Sequence, residues 1–214
     1  MREVQQKRAL ATRQHILDSA AAVFDSEGFA GASLGRIVRH AGTTRGALHF
    51  HFPTKEALAN AVVDEHNRRI TAVVEGISRS DVSALEQMMA ISELTARQID
   101  DDPVVRAGTR LLMEMTYSEA PPLAYRVWIE ACERLVRKAV SDGDLAPTVS
   151  PEAVAHLVIS SLAGTQMVTS VLSGRGDLHQ RVEEMWEIIL HGLVPTDRRG
   201  RVAALLRDRA ALTD

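Results

Sequence analysis

The chain is predicted to be all-α, with a three-helix module at its N-terminus and a longer helical body behind it. Three observations predict this. Apolar residues make up 45% of the chain but aromatic ones only 4%, leaving Ala, Leu, Val and Ile, which suit helices packed on helices. Apolar residues recur at helical spacing in segment after segment, as in Ile16, Ala20, Val23 and Phe24. And the stretch SLGRIVRHAGTTRGALHFHFPTKE, Ser33 to Glu56, reads as a helix, a tight turn, a short second helix and a capped start to a third.

Composition narrows the classes. With 214 residues there is enough chain for one or two domains and a real core. The single cysteine, Cys132, excludes an internal disulfide and fits a reducing compartment. No window approaching 18 uncharged apolar residues is read, so no membrane span is expected. MREVQQKRAL has no apolar core, so no secretory signal is expected, and a cytoplasmic location follows. The net charge of −3 is unevenly spread. Residues 1–55 carry eight basic and four acidic residues, a net +4, against −7 in the remainder. A basic quarter on an acidic body fits a DNA-binding module attached to a part that does not touch DNA.

The first helix spans Lys7 to Glu27 and ends at Gly28, with residues 1–6 outside it. Arg8, Thr12 and Arg13 near its start can reach phosphate, where most protein–DNA hydrogen bonds go. Ser33 caps the second helix, whose Leu34, Ile37 and Val38 share an apolar face; Ala41-Gly42 ends it. Thr43 or Thr44 caps the third, which runs to about His51 and stops at Phe52-Pro53, because a residue before proline is pushed out of the helical region. In a helix-turn-helix the second of the paired helices enters the major groove. Its exposed start would be Thr43, Thr44, Arg45, Gly46 and Ala47: Arg to pair with guanine, Thr for base edges or phosphate, and small residues for close approach. Leu48, Phe50 and Phe52 are expected to anchor this helix, and all four phenylalanines to form the module's core. His49 and His51 are left for phosphate or groove, and Lys55 at the start of the next helix for phosphate.

AGTTRGALHFHFPTKEAL resembles the signature of the TetR family of transcriptional regulators, and ALHFHFPTKEAL its gamma-butyrolactone receptor group from actinomycetes. That group usually has Tyr in place of His49, contacting a phosphate, and His49 keeps a hydrogen-bond donor there. The resemblance implies a homodimeric, ligand-responsive repressor on palindromic double-stranded operator DNA, with a DNA-binding domain over residues 1–53 and a ligand-binding and dimerisation domain over 54–214. DNA contacts are expected from Thr12, Ser33, Thr43, Thr44, Arg45, Gly46, Ala47, His49, His51 and Lys55.

The body follows in order. Thr54 to about Ser78 is one long helix leaving the module; in the resemblance it brings a polar contact to the effector, here His66. Asp81 is expected to cap the next helix, which runs to Asp100–Asp102. Pro103 starts another, ending before Ser118. Met88, Met89, Met113 and Met115 read either as core filling or as a pliable lining for an apolar ligand. Pro121 to about Asp142 carries Trp128 within YRVWIEA, where the resemblance places a tryptophan over the ligand. Pro151 to about Ser173 offers Thr165 and Gln166 as polar groups in an apolar pocket. This helix and Leu178–Leu193 resemble the family's dimer-forming pair, and EEMWEIILHGLVP again matches the receptor group. A last helix is expected over Asp197–Leu212.

Neither zinc spacing, a glycine-rich phosphate loop nor a catalytic constellation is found, so no metal, cofactor or enzymatic activity is expected. His49 and His51, two apart on a helix, point too far apart to share an ion. The resemblance implies a gamma-butyrolactone effector and control of antibiotic production. The alternative is a pseudo-receptor or regulator answering to an antibiotic, a butenolide or another small apolar ligand.

Overall fold

The computed structural model describes residues 2–115, 123–174, 176–198 and 200. Every regular element among them is helical: α1 Arg2–Gly31, α2 Leu34–His40, α3 Arg45–His51, α4 Lys55–Ser78, α5 Ala84–Asp101, α6 Pro103–Glu114, α7 Leu123–Ser141, α8 Pro151–Leu172 and α9 Leu178–Leu193. A 3-10 turn, Thr196–Arg198, follows, and the rest of the helix expected to Leu212 lies outside the described residues.

The chain divides into two compact units. Met1–Ala72 and Gln98–Pro122 form the first; Val73–Arg97 and Leu123–Asp214 form the second. The boundary therefore cuts through α4 and α5, and α6 belongs with the helix-turn-helix.

In the first unit, Ile16, Ala20 and Phe24 of α1 meet Ile37, Leu48 and Phe52, and Val104, Ala107 and Leu111 of α6 close the same core. Helix α1 starts at Arg2, earlier than expected, because nothing between Arg2 and Lys7 breaks it. Gly28 (φ 71°, ψ 178°) kinks it and one further turn reaches Gly31. A left-handed φ suits glycine, and a Cβ here would also lie 2.5 Å from the Glu114 carboxylate.

Polar bonds between helices tighten this unit. The buried-side pair Arg106–Asp25 is 2.8 Å, and Arg106 Nη1 also donates to the carbonyls of Ile99 and Asp100 at 3.1 and 2.6 Å. Arg110 Nη1 donates to Asp25 O at 2.7 Å, and Glu114 accepts from the Phe29 amide at 2.5 Å. Asp102 caps α6 by accepting from Val104 N and pairs with Arg69 of α4. Arg69 also pairs with Glu65, whose carboxyl is held down at about 2, chiefly by its hydrogen bond from Arg68.

In the second unit α7 packs on α8 and α8 on α9, with Ala146 N donating to Leu193 O at 2.9 Å. Helix α5 is capped by Ser83, not Asp81. Glu86 N donates to Ser83 Oγ while Ser83 N donates to Glu86 Oε2, a reciprocal box that Asp81, exposed two residues earlier, does not make. Cys132 is buried, its thiol pushed up to about 12 by burial, with its sulfur 4.0 Å from that of Met88. By length and composition α8 is long and apolar enough to cross a membrane, with mean hydropathy 1.3, and only 22% of that window is buried within the chain. The sequence expectation passed over this segment because its Ser, Thr, Gln and His residues interrupt the apolar run.

Candidate nucleic-acid interface

Local chemistry shapes the turn before α3. Ser33 Oγ accepts from Arg36 N and starts α2. At the other end Gly42 adopts φ 58°, Gly42 N donates to Arg39 O and Thr43 N to Val38 O. This crossed pair satisfies the last carbonyls of α2 and needs a left-handed residue, which glycine supplies. Thr44, extended at φ −98°, ψ 155°, then caps α3 through Ala47 N at 3.1 Å. His15 of α1 donates from Nε2 to Ala41 O at 2.8 Å and ties the turn to the long helix.

Leu48 and Phe52 fix the inner side of α3; both are buried, and Arg13 lies 4.9 Å over the Phe52 ring. At about 100° per residue the opposite direction falls between Gly46 and Phe50. Arg45 and His49, one turn apart, form one flank; Ala47 and His51 form the other. The structure agrees: Arg45, Gly46, His49 and Phe50 are exposed, Ala47 and His51 half-buried.

Phe50 therefore corrects an expectation. It is 80% exposed and is neither an anchor nor part of the core. Its ring meets the His51 ring edge-on, at 5.0 Å between centroids. Phe24 and Phe52 are buried and Phe29 is half-buried, so three phenylalanines serve the core, not four. The signal lay in the sequence: with Leu48 and Phe52 inward, a helical wheel turns Phe50 outward.

Two expected phosphate contacts have other partners. Lys55 Nζ donates to Phe29 O at 2.8 Å and Ala32 O at 3.1 Å and stands 4.4 Å from the centroid of the Phe29 ring. The carbonyls of the α1–α2 turn lack helical partners and recruit this ammonium. Thr12 Oγ1 donates to Arg8 O at 3.0 Å, and the residue is half-buried. Thr43 is half-buried; Ser33 and Thr44 are exposed, with their side-chain oxygens engaged as caps. His49 Nδ1 lies 3.2 Å from Pro53 O.

The residues expected on the effector side fall in different units. His66, in the first, is 2% exposed. Its Nδ1 donates to Val105 O at 3.1 Å, and burial lowers its pKa to about 4 against the opposing effects of that bond and of Asp102. The ring lies against Gly108, where a Cβ would come 2.3 Å from His66 Cβ. In the second unit, Met88 is buried on α5. Trp128 is half-buried one helical turn before Cys132, hence on the α7 face that reaches Met88, and stacks edge-on with Tyr125 at 5.3 Å. Burial raises the Tyr125 phenol. Thr165 and Gln166 are half-buried on α8. The methionines divide: Met88 and Met89 in the second unit, Met113 and Met115 in the first, where Met115 packs on the core.

Residues 16–62 match the bacterial regulatory proteins of the tetR family, and residues 82–195 the tetracyclin repressor-like C-terminal domain. The A-factor receptor protein of Streptomyces griseus is 33% identical over 213 residues, 96% of this chain and 75% of that one. A solved gamma-butyrolactone receptor, an ArpA-like protein, aligns with a TM-score of 0.83 at 33% identity, covering 94% of this chain and 97% of its own. CprB of Streptomyces coelicolor, solved with its operator sequence, gives 0.83 at 34%, covering 94% and 97%.

The chain belongs to the TetR family. It is a ligand-responsive transcriptional repressor that binds DNA, not an enzyme, and regulators of this family bind operator DNA as dimers and respond to small molecules.

Proposed function

We propose that the chain is a receptor for a gamma-butyrolactone-type signal, acting in the cytoplasm and leaving a palindromic operator when the signal binds. The observation that carries this is similarity along nearly the whole chain, body included, to the A-factor receptor and to solved butyrolactone receptors. In this reading residues 1–53 do the DNA work and 54–214 sense and dimerise. Arg45, Gly46 and Ala47, with Thr43 and Thr44 before them, meet base edges; His49 and His51 meet the groove walls; Ser33, Thr12 and Lys55 lie beside the backbone. Phe50 joins them as an apolar contact for a thymine methyl. Helices α8 and α9 form the dimer contact, which accounts for Val171, Leu172 and Ile188, 78%, 80% and 75% exposed in the single chain.

Met88, Trp128, Thr165 and Gln166 are the proposed effector contacts. His66, expected to be a further polar contact, is buried against α6 in the first unit, so reaching it would require α4 and α6 to part. The effector need only bind the state in which α4 has swung better than the DNA-bound state. In that state the two α3 helices no longer match the roughly 34–36 Å between successive major grooves.

A gel shift with the DNA upstream of the chain's own gene, with and without butyrolactones, tests this. Butyrolactone is expected to release the wild type. Arg45→Ala should abolish binding in a folded dimer, and Trp128→Ala should bind DNA yet resist release. Release by an antibiotic but by no butyrolactone would overturn the assigned signal; intact binding by Arg45→Ala would overturn the assigned recognition helix.

A further inference from the structure

We propose that operator binding takes up a proton at His49, so that the repressor's affinity for DNA falls as pH rises through the imidazole range. The inference rests on α3 being the groove-entering helix and goes beyond it to the state of one side chain. Pro53 O can only accept a hydrogen bond, so the contact at 3.2 Å makes His49 Nδ1 the donor. In a neutral imidazole one ring nitrogen carries the proton and the other a lone pair. The bond to Pro53 therefore gives the neutral ring a bare Nε2, the wrong polarity for a phosphate. Only the doubly protonated ring keeps Pro53 and also donates outward from Nε2.

The placement of His49 makes that outward donor matter. Helix α3 has seven residues, roughly 10 Å of rise, and with its N-terminal residues at base edges its C-terminal turn is left to approach the backbone. His49 lies in the C-terminal turn, exposed, on the flank of Arg45.

The charged and titratable groups on α3 and its neighbouring helices are mostly cationic. Helix α3 itself offers Arg45 and His51. From α1 comes Arg13, over Phe52. From α2 come Arg39, His40 and Arg36, the last paired with Glu27 at 2.8 Å. From α4 come Lys55, held by the Phe29 and Ala32 carbonyls, and Glu56, at its own helix start. To this mostly cationic setting an arriving phosphate supplies the anion that favours the doubly protonated ring.

The test is operator affinity by fluorescence anisotropy from pH 6 to 8 at fixed ionic strength. The wild type is expected to lose up to about tenfold per pH unit for each engaged His49, hence up to about a hundredfold for a dimer. His49→Tyr, whose phenol keeps its proton throughout this range, should bind with at least half of that slope removed and should exceed the wild type at pH 8. His40→Gln should keep the slope. A wild-type slope retained in His49→Tyr overturns the proposal. So does an Nε2-protonated His49 at pH 8 in the ring-nitrogen NMR spectrum of the free protein. Failure of the folded wild type to bind at pH 6 and low salt would overturn the recognition-helix reading itself, and this inference with it.

Discussion

Each unit is held together internally by a different kind of contact. In the first, polar side chains cross from helix to helix: Arg106 to Asp25, Arg69 to Asp102, Glu114 to the Phe29 amide, His15 to Ala41 O, Lys55 to the α1–α2 turn. In the second, most recorded ion pairs among the described residues stay within or at the end of one helix, as in Arg137–Glu133, Lys138–Asp142 and Arg181–Asp177. Between α5 and α7 there, one sulfur meets another, Cys132 against Met88. A hydrogen bond fixes distance and direction, whereas a thioether fits many shapes. The unit that must match a rigid duplex is built from directional bonds, and the unit proposed to wrap a small apolar molecule from adaptable ones.

The sharpest break of that contrast is at Gly108. Alanine there puts a methyl 2.3 Å from His66 Cβ and 2.6 Å from Cγ, so something must shift. Gly108→Ala should lose about 3 kcal/mol in urea unfolding. Unchanged stability would show that α4 and α6 are as forgiving as the second unit.

A comparable effect comes from acid. His66 is folded neutral, with its pKa lowered to about 4 by burial, against about 6.5 unfolded. Between those values the unfolded chain binds the extra proton. Stability from this residue is therefore complete above about pH 6.5 and drains away as pH falls toward 4, by about 3 kcal/mol in all. Melting curves of the wild type and His66→Gln should converge in pH dependence only if His66 is not the cause.

The smallest expected effect sharpens the comparison from the other side. Gly76 of α4 belongs to the second unit, and a Cβ there meets nothing within 4 Å. Gly76→Ala should gain about 0.5–1 kcal/mol from backbone entropy alone. A loss would mean that this stretch is more tightly specified than its surroundings suggest.

What was legible in the sequence was what is decided locally. Ser33, Thr44, Gly42 and Pro53 each act within a few residues, so α2, the turn and α3 emerged with their boundaries. The box at Ser83 and Glu86 was equally local and was passed over in favour of Asp81. Arg106–Asp25 spans 81 residues, His66–Val105 39 and Lys55–Phe29 26, and no pattern in the chain announces such pairings. Hence the expectation that Lys55 waits for a phosphate, when two unpartnered carbonyls were nearer. The exposed residues of α3 could be read off its period, but the bond that sets the tautomer of His49 depends on how the chain turns at Pro53.

The first unit is also discontinuous in sequence: Val104, Ala107 and Leu111 complete a core begun by Ile16 and Phe24. A ribosome making this chain delivers α3 long before α6, which packs on α1 and completes the shared core. The nascent reader must wait for α6, and so must an engineer. A hybrid regulator spliced after residue 53 would transplant α1, α2 and α3 without the helix that completes their core; one that carries α6 along would move the whole packed unit.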